Sequence, residues 1–485
     1  MRNHGVGSWA ARRARMSPNR VAVVHDGREW TFAEVSERAT RMAHVLAATG
    51  VGKGDRVAYL GPNHPAFLET LFATGLLGAI FVPLNTRLAA PELAYILADS
   101  GAAVLVHAPL SIVDDLRDVP AHLALDGLEL GDAPTDPLDT DVADSDVCMI
   151  MYTSGTTGRP KGAMLTHANI AWNSVNLLLD IDLTSAEVTL VNAPMFHVAA
   201  LNMTVLPTFL KGGRSVLMSA FDPASTLELI ERYGVTYTFG VPAQYQMLAR
   251  SPGWDAADLS SLRSVSCGGA PVPAALIETY QRRGLTFLQG YGLSEAAPGV
   301  TYLRADDSTR KAGSAGTSVF FGDVRVVRAD GAGVDTGEPG EILTEGPNVM
   351  AGYWGLPDAT AEVLSPDGWL RTGDIAVLDD EGFAYIRDRV KDLIISGGEN
   401  IYPAEVEDAL YAHPAVAECA VVGVPDEKWG EVGRAFVVPH HDVDPAELLD
   451  FLAGRIARYK VPKSVVFVDS LPRTGSGKVL KKRLR

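Results

Sequence analysis

The sequence predicts a multidomain α/β protein: a large N-terminal domain of mixed, largely parallel sheets with a β-rich subdomain, followed by a small α+β C-terminal domain. Three observations predict it. The chain has 485 residues, more than one hydrophobic core normally serves. Short apolar runs alternate with helical patterns as far as about Gly322, as expected where helices cover the faces of substantially parallel sheets. From Val324 the texture changes to short strands broken at Asp330-Gly331, Asp367-Gly368 and Glu381-Gly382, dipeptides that favour hairpins and tight loops.

The elements follow in order. Thr31 with Glu34 three residues later reads as a capped helix start. Leu68 to Leu77 is mostly apolar and reads as helical. Ala79-Ile80-Phe81-Val82-Pro83-Leu84 reads as a buried strand ending at a proline. Residues 131–146 carry Asp132, Asp136, Asp139, Asp141, Asp144 and Asp146 and form a surface connection leading into a strand from Val147 to Tyr152. The last segment, from about Val390, holds strand and helix patterns for a small domain. Its boundary falls at the charged run Asp388-Arg389-Val390-Lys391-Asp392. No internal repeat or low-complexity tract is present.

Composition narrows the function. Hydrophobic residues at 47% and charged residues at 21% suit a soluble globular protein. No apolar stretch is long enough to span a bilayer. The arginines of the first twenty residues have no apolar run behind them, so no secretory signal is read there. Cys148, Cys267 and Cys419 lack metal-type or disulfide-type spacing and read as buried thiols of a reducing cytoplasm. A formal net charge of −17 argues against nucleic acid as a partner, because neutralising phosphates needs a basic surface. Trp9-Ala10-Ala11-Arg12-Arg13-Ala14-Arg15 reads as a basic helical patch with an aromatic, suited to weak peripheral contact with an anionic membrane.

The most informative string is Tyr152-Thr153-Ser154-Gly155-Thr156-Thr157-Gly158-Arg159-Pro160-Lys161-Gly162, placed after a buried strand. Its glycines permit tight turns and close approach of a ligand. Its hydroxyls and backbone N–H groups can donate to phosphate oxygens, and Arg159 and Lys161 add positive charge. The spacing is neither that of a P-loop nor that of a dinucleotide fingerprint.

This string resembles the signature of the adenylate-forming superfamily: acyl-CoA synthetases, aryl-CoA ligases, adenylation domains of peptide synthetases and luciferases. The resemblance runs along essentially the whole chain. Gln289-Gly290-Tyr291-Gly292-Leu293-Ser294-Glu295, Gly352-Tyr353-Trp354, Trp369-Leu370-Arg371-Thr372-Gly373-Asp374 and Arg389-Val390-Lys391-Asp392 follow in the family's order. Ser396-Gly397-Gly398-Glu399-Asn400-Ile401-Tyr402-Pro403-Ala404-Glu405 and Pro472-Arg473-Thr474-Gly475-Ser476-Gly477-Lys478 complete the set. Pro194 to Leu201 and Pro425 to Glu431 look like the bacterial fatty-acyl and aryl-CoA branch.

The resemblance implies an ATP- and Mg2+-dependent acid–CoA ligase that works through an acyl-adenylate. The alternative is a stand-alone adenylating enzyme that loads a carrier protein. It implies a domain at 1–388 for ATP and acid, a hinge at 389–392, and a mobile lid domain at 393–485. Phosphates fall to Thr153, Ser154, Gly155, Thr156, Thr157, Gly158 and Lys161, and Mg2+ to Glu295 with Thr153. Adenine falls to Tyr291 with Gly268, Gly269 and Ala270, in a nucleotide site that also takes in Gly290, Gly292, Ser294 and Ile386. Asp374 takes the ribose hydroxyls beside Arg389. Lys478 serves adenylation, Lys391 is the hinge, His197 gates the acyl pocket, and Gly397 and Gly398 line the CoA tunnel. The enzyme is expected to act as a monomer or homodimer.

The chemistry explains these residue types. A carboxylate must approach the α-phosphate of ATP, and two unit charges about 4 Å apart repel by about 4 kcal/mol at an effective dielectric of about 20. Catalysis is therefore mainly neutralisation and positioning.

The acyl pocket that the resemblance implies, Val198, Ala199, Met203, Gly268, Pro298 and Gly299 beside His197, is small or apolar throughout. It has no cation for a second carboxylate. It fits a medium or long fatty acid or a bulky aryl or polycyclic acid. Ala199 stands where hydroxycinnamate-type ligases of the family place a tyrosine, which speaks against that substrate.

Overall fold

In the computed structural model, residues 3–126, 128, 130–153, 159–397, 399–474 and 478–485 are described. Among them, four sheets carry the architecture. The first has nine strands. Its parallel centre runs Val21–His25, Arg214–Leu217, Val188–Val191, Tyr237–Gly240, Ser264–Gly268 and Phe287–Gly292. Gly299–Tyr302 pairs antiparallel at the end beside Phe287–Gly292. The second sheet has seven strands. Val147–Thr153, Ile80–Pro83, Arg56–Leu60, Ala102–His107 and Ala121–Ala124 are parallel, and Lys161–Thr166 closes back antiparallel on Val147–Thr153.

The helix Pro65–Leu77 is buried on nearly every side, as its mostly apolar sequence requires. Its Phe67, Leu71 and Phe72 share one core with Val57, Tyr59 and Phe81 of the second sheet and Val23, Val191 and Leu217 of the first. The helix Phe32–Ala48 starts at Thr31, whose hydroxyl accepts from the Glu34 amide while Glu34 accepts from the Thr31 amide. Such a box satisfies two donors that the first helical turn leaves open. Residues 131–146 carry no helix or strand among the described positions.

The third sheet is a four-stranded antiparallel one: Asp323–Val327, Gly340–Glu345, Leu370–Leu378 and Ala384–Arg389. Glu381-Gly382 turns its last hairpin. The fourth sheet is built from later chain: Ile394–Ser396, Glu399–Ile401, Val416–Asp426, Gly430–Pro439 and Ser464–Phe467. The helices Pro403–Tyr411 and Pro445–Ala453 pack on it through a separate core of Val406, Leu410, Val421, Leu448 and Leu452.

The aromatic of the N-terminal basic patch sits differently from the sequence reading. Trp9 opens the helix Trp9–Met16 but is 7% exposed and belongs to the main core. The Arg13 guanidinium donates to the Leu210 carbonyl, and Arg12 donates to the Ser8 hydroxyl. The aromatic of the supposed membrane patch faces inward, and two of its cations are held within the fold. No described helix is long and apolar enough to cross a membrane.

Candidate active site

Parallel sheets leave ligand crevices beyond the carboxyl ends of their strands, and the signatures gather there. Thr153 ends its strand and pairs with Lys161, which opens the next, antiparallel strand. Ser154, Gly155, Thr156, Thr157 and Gly158 themselves lie outside the described residues. On the flanks, the Lys161 ammonium stands 5.1 Å over the Tyr353 ring and the Arg159 guanidinium 5.7 Å over Tyr95.

Tyr353 donates its hydroxyl to Glu295 Oε1 at 2.9 Å, and the Met350 amide donates to the Glu295 carbonyl at 2.8 Å. Tyr353 therefore links the phosphate-loop lysine to the expected metal carboxylate, a role the sequence did not reveal. Among the described residues no group of three His, Cys, Asp or Glu side chains could hold a metal. A single carboxylate fits Mg2+ that is held chiefly by substrate phosphates and water.

Backbone approaches too closely for a side chain at Gly268 and Gly292, and the Tyr302 ring does so at Gly290. A Cβ on Gly268 would come 2.6 Å from the Gly290 carbonyl oxygen, and one on Gly292 would come 1.9 Å from that of Pro298. Gly269 and Ala270 follow the strand end and are exposed, and Ser294 is half-buried.

Asp374 and Arg389 face each other in register across the hairpin. Asp374 is 6% exposed. Its Oδ1 pairs with Arg389 Nε at 3.1 Å, and its Oδ2 accepts from the Tyr291 hydroxyl at 2.6 Å. Each carboxylate oxygen keeps a second lone pair for a sugar hydroxyl. Burial, and then the Asp374 charge, raises the Tyr291 pKa far above the ordinary tyrosine range, so the phenol stays a neutral donor. Ile386 lies opposite Ala376 on the same hairpin.

Lys478 arrives from the end of the chain. Its carbonyl accepts from the Thr474 amide at 2.7 Å and its amide donates to the Thr474 hydroxyl at 3.1 Å, so Thr474 and Lys478 are held together. The side chain retains solvent access yet is crowded by protein, as at the bottom of an open cleft. A Cβ placed on Gly269 would lie 3.9 Å from Lys478 Cε. Enclosure, and then Arg389, lowers the Lys478 pKa, while Asp374 and Glu295 oppose the shift. Enclosure and Arg389 also lower that of Lys391. Arg389, Lys391 and Lys478 thus converge near Asp374 and Glu295, and this excess of positive charge suits a polyanion.

The chain around Lys391 is tied to both sides. The Lys391 carbonyl accepts from Arg485 Nη2 at 3.4 Å, and the same nitrogen stands 3.3 Å from Asp392 Oδ1. Asp388 Oδ2 accepts from the Ala404 amide at 2.9 Å, at the start of the helix Pro403–Tyr411. Gly397 has φ +61°, and a Cβ there would come 2.6 Å from the Trp429 ring. Gly397 thus packs directly against the Trp429 ring. Gly398 lies outside the described residues.

On the acyl side, Val198, Met203, Gly268, Pro298 and Gly299 are buried, and His197 and Ala199 half-buried. His197 precedes the short turn Val198–Ala200 and stacks obliquely on Phe196, ring centres 4.7 Å apart. Met203 sits in the π-helical stretch Leu201–Val205, a local widening common at functional sites. Three asparagines that no signature marked hold the 296–299 segment. Asn173 Oδ1 accepts from the Gly299 amide at 3.0 Å, Asn202 donates to the Ala297 carbonyl at 3.2 Å, and Asn348 donates to those of Ala296 and Gly299 at 2.6 and 2.7 Å.

Residues 10–354 match the family described as AMP-binding enzyme, and residues 405–478 match the AMP-binding enzyme C-terminal domain. The chain belongs to the AMP-binding enzyme family. A feruloyl-CoA synthase from an Amycolatopsis species is 57% identical, with 100% of this chain and 99% of that protein aligned. An indoleacetate–CoA ligase from Aromatoleum aromaticum is 44% identical over 98% of this chain and 97% of its own. Among solved structures, an anthranilate CoA ligase in complex with anthranoyl-AMP superposes with a TM-score of 0.94 at 28% identity, covering 100% of this chain and 97% of that one. An o-succinylbenzoate CoA synthetase from Bacillus subtilis with ATP and magnesium superposes with a TM-score of 0.90 at 36% identity, covering 98% and 99%.

Proposed function

We propose that this AMP-forming acid–CoA ligase activates an aryl acid of the phenylpropenoate type, and that Lys478 serves the first of its two half-reactions. The enzyme uses ATP, Mg2+ and coenzyme A, and loading of a carrier protein is not favoured. The 57% identity to a feruloyl-CoA synthase supports the aryl reading over a fatty acid, as does the aryl character of the indoleacetate and anthranilate ligases. Ala199 then leaves room where the resemblance placed a tyrosine, and the phenolic end must be read by other residues.

The observation that carries the mechanism is the place of Lys478, against Gly269 and among Asp374, Glu295 and Arg389. An ammonium there neutralises the acid's carboxylate and the α-phosphate together, which removes the charge barrier between them. The phosphate loop with Lys161 takes the outer phosphates, and Glu295 supplies the protein's carboxylate for Mg2+. Asp374 and Arg389 fix the ribose, and Tyr291 with Gly268, Gly269 and Ala270 packs the purine. Residues 389–392 act as a hinge, so that the 393–485 segment carries Lys478 away before the thiol enters.

The test is a panel of cinnamic, hydroxycinnamic, indole-type and long-chain fatty acids with ATP, Mg2+ and CoA, read as AMP release and thioester mass. Aryl-CoA masses with the hydroxycinnamates fastest are expected. Fatty acyl-CoA as the sole product would overturn the substrate reading.

A further inference from the structure

Behind the acyl pocket lies a group of buried polar atoms that the fold leaves unsatisfied. The strand Tyr237–Gly240 turns Tyr237 and Phe239 to one face, since alternate residues share a face. The Phe239 ring comes within 3.6 Å of a Cβ placed on Gly268, so this face is the one the pocket glycines share. Tyr302, opposite Gly290 on the next antiparallel strand, lays its ring 2.9 Å from a Cβ on Gly290. Its hydroxyl stands 3.1 Å from a Cβ on Gly299. Tyr237, Phe239 and Tyr302 form one apolar cluster with Met203, Leu177 and the half-buried Ala199.

Within that cluster Tyr237 is 0% and Tyr302 5% exposed, and among the described residues neither hydroxyl has a hydrogen-bond partner. Ser266 lies near the Tyr237 hydroxyl without meeting hydrogen-bond geometry. Asp180 adds a third such atom. Its Oδ1 pairs with Arg304 at 2.8 Å, while Oδ2 is buried without a partner that meets hydrogen-bond geometry, the Phe320 amide being its nearest donor. The three groups are neighbours: after burial, Tyr237 and Asp180 are what hold the proton on Tyr302. Buried polar groups are normally satisfied, and a cluster of exceptions calls for a ligand or water.

We propose that Tyr237 and Tyr302, backed by Asp180, form the polar end of the acyl pocket and hydrogen-bond the ring hydroxyl of a phenolic acid. The proposal rests on the aryl-acid reading above. A phenol both donates and accepts, so it can accept from a tyrosine hydroxyl and donate toward the other tyrosine or the carboxylate oxygen. The acid group of the same substrate then lies at the opposite end, beside Gly269 and Lys478. This places the reading of the phenol on the strands beneath the pocket, in place of a side chain at Ala199.

The experiment compares kcat/KM for 4-hydroxycinnamate and for cinnamate in the wild type, Tyr237→Phe, Tyr302→Phe and the double variant. Sites built to hydrogen-bond a substrate hydroxyl discriminate strongly against the analogue that lacks it. The wild type is expected to prefer the hydroxylated acid by about 10-fold or more. The double variant should lose most of that ratio while cinnamate turnover stays within about twofold. Each substitution removes a hydroxyl that has no partner, so the melting temperature should hold, and its measurement guards against misfolding. Turnover of both acids with an unchanged ratio in the double variant overturns the inference alone. Turnover of fatty acids with neither cinnamate accepted overturns the aryl reading and this inference together.

Discussion

Lys478 shows how much a single charge can decide. Crowding by protein, and then Arg389, lowers its pKa, while Asp374 and Glu295 oppose the shift. Lys478→Ala should slow acyl-adenylate formation by about 100-fold or more, the scale for loss of a positioned charge-stabilising donor. Thioester formation from a supplied acyl-adenylate should stay largely intact. Rapid-quench measurement of the two half-reactions checks this, and equal loss in both would refute the assignment. Glu295 and Asp374 were legible because each stands inside a signature string. Asn173, Asn202 and Asn348 were not, because their roles are hydrogen bonds to partners 49 to 126 residues away in every case but the shortest, Asn173 to Asn202 at 29; Tyr353 stands in a signature string, but its bond to Glu295 was not legible there.

At the scale of elements, the proposed hinge requires the stretch from Arg389 to Lys391 to release before the second half-reaction. It leaves the antiparallel strand Ala384–Arg389 through the single turn Val390–Asp392. Ties from Arg485 to this turn and from Asp388 to the helix Pro403–Tyr411 hold the present arrangement. Proline fixes φ and restricts the residue before it. Lys391→Pro should therefore spare adenylation and block thioester formation, read as adenylate accumulating without acyl-CoA; full turnover in that variant would sink the hinge. Local elements were readable where their signal was local. The Thr31–Glu34 box and the apolar helix ending at Leu77 needed only neighbouring residues. The patch at Trp9 misled because a short amphipathic helix exposes or buries its aromatic according to what packs on it, and here the main core does.

For the whole molecule, the cleft is assembled from strand ends of three sheets and the chain's final loop. Its integrity can be followed through the thiols. Cys148, Cys267 and Cys419 are free and buried in separate parts of the fold, and burial raises the pKa of each. A thiol reagent should therefore find no fast-reacting cysteine in the native protein and all 3 after unfolding in guanidinium. A rapidly modified native thiol would contradict the packing. The sequence by itself determined the family chemistry and the α/β class, through signature strings that follow one another in order along the chain. Those signals are short strings and periodicities whose physics is local: glycines for close backbone approach, hydroxyls and cations for phosphate, alternation for strands. Only the tertiary structure decided that Lys478 meets Gly269, that Tyr291 holds Asp374, and that Tyr237, Tyr302 and Asp180 bury unsatisfied oxygens together. Whether a buried polar atom has a partner depends on every segment packed around it, and no string of neighbouring residues records that.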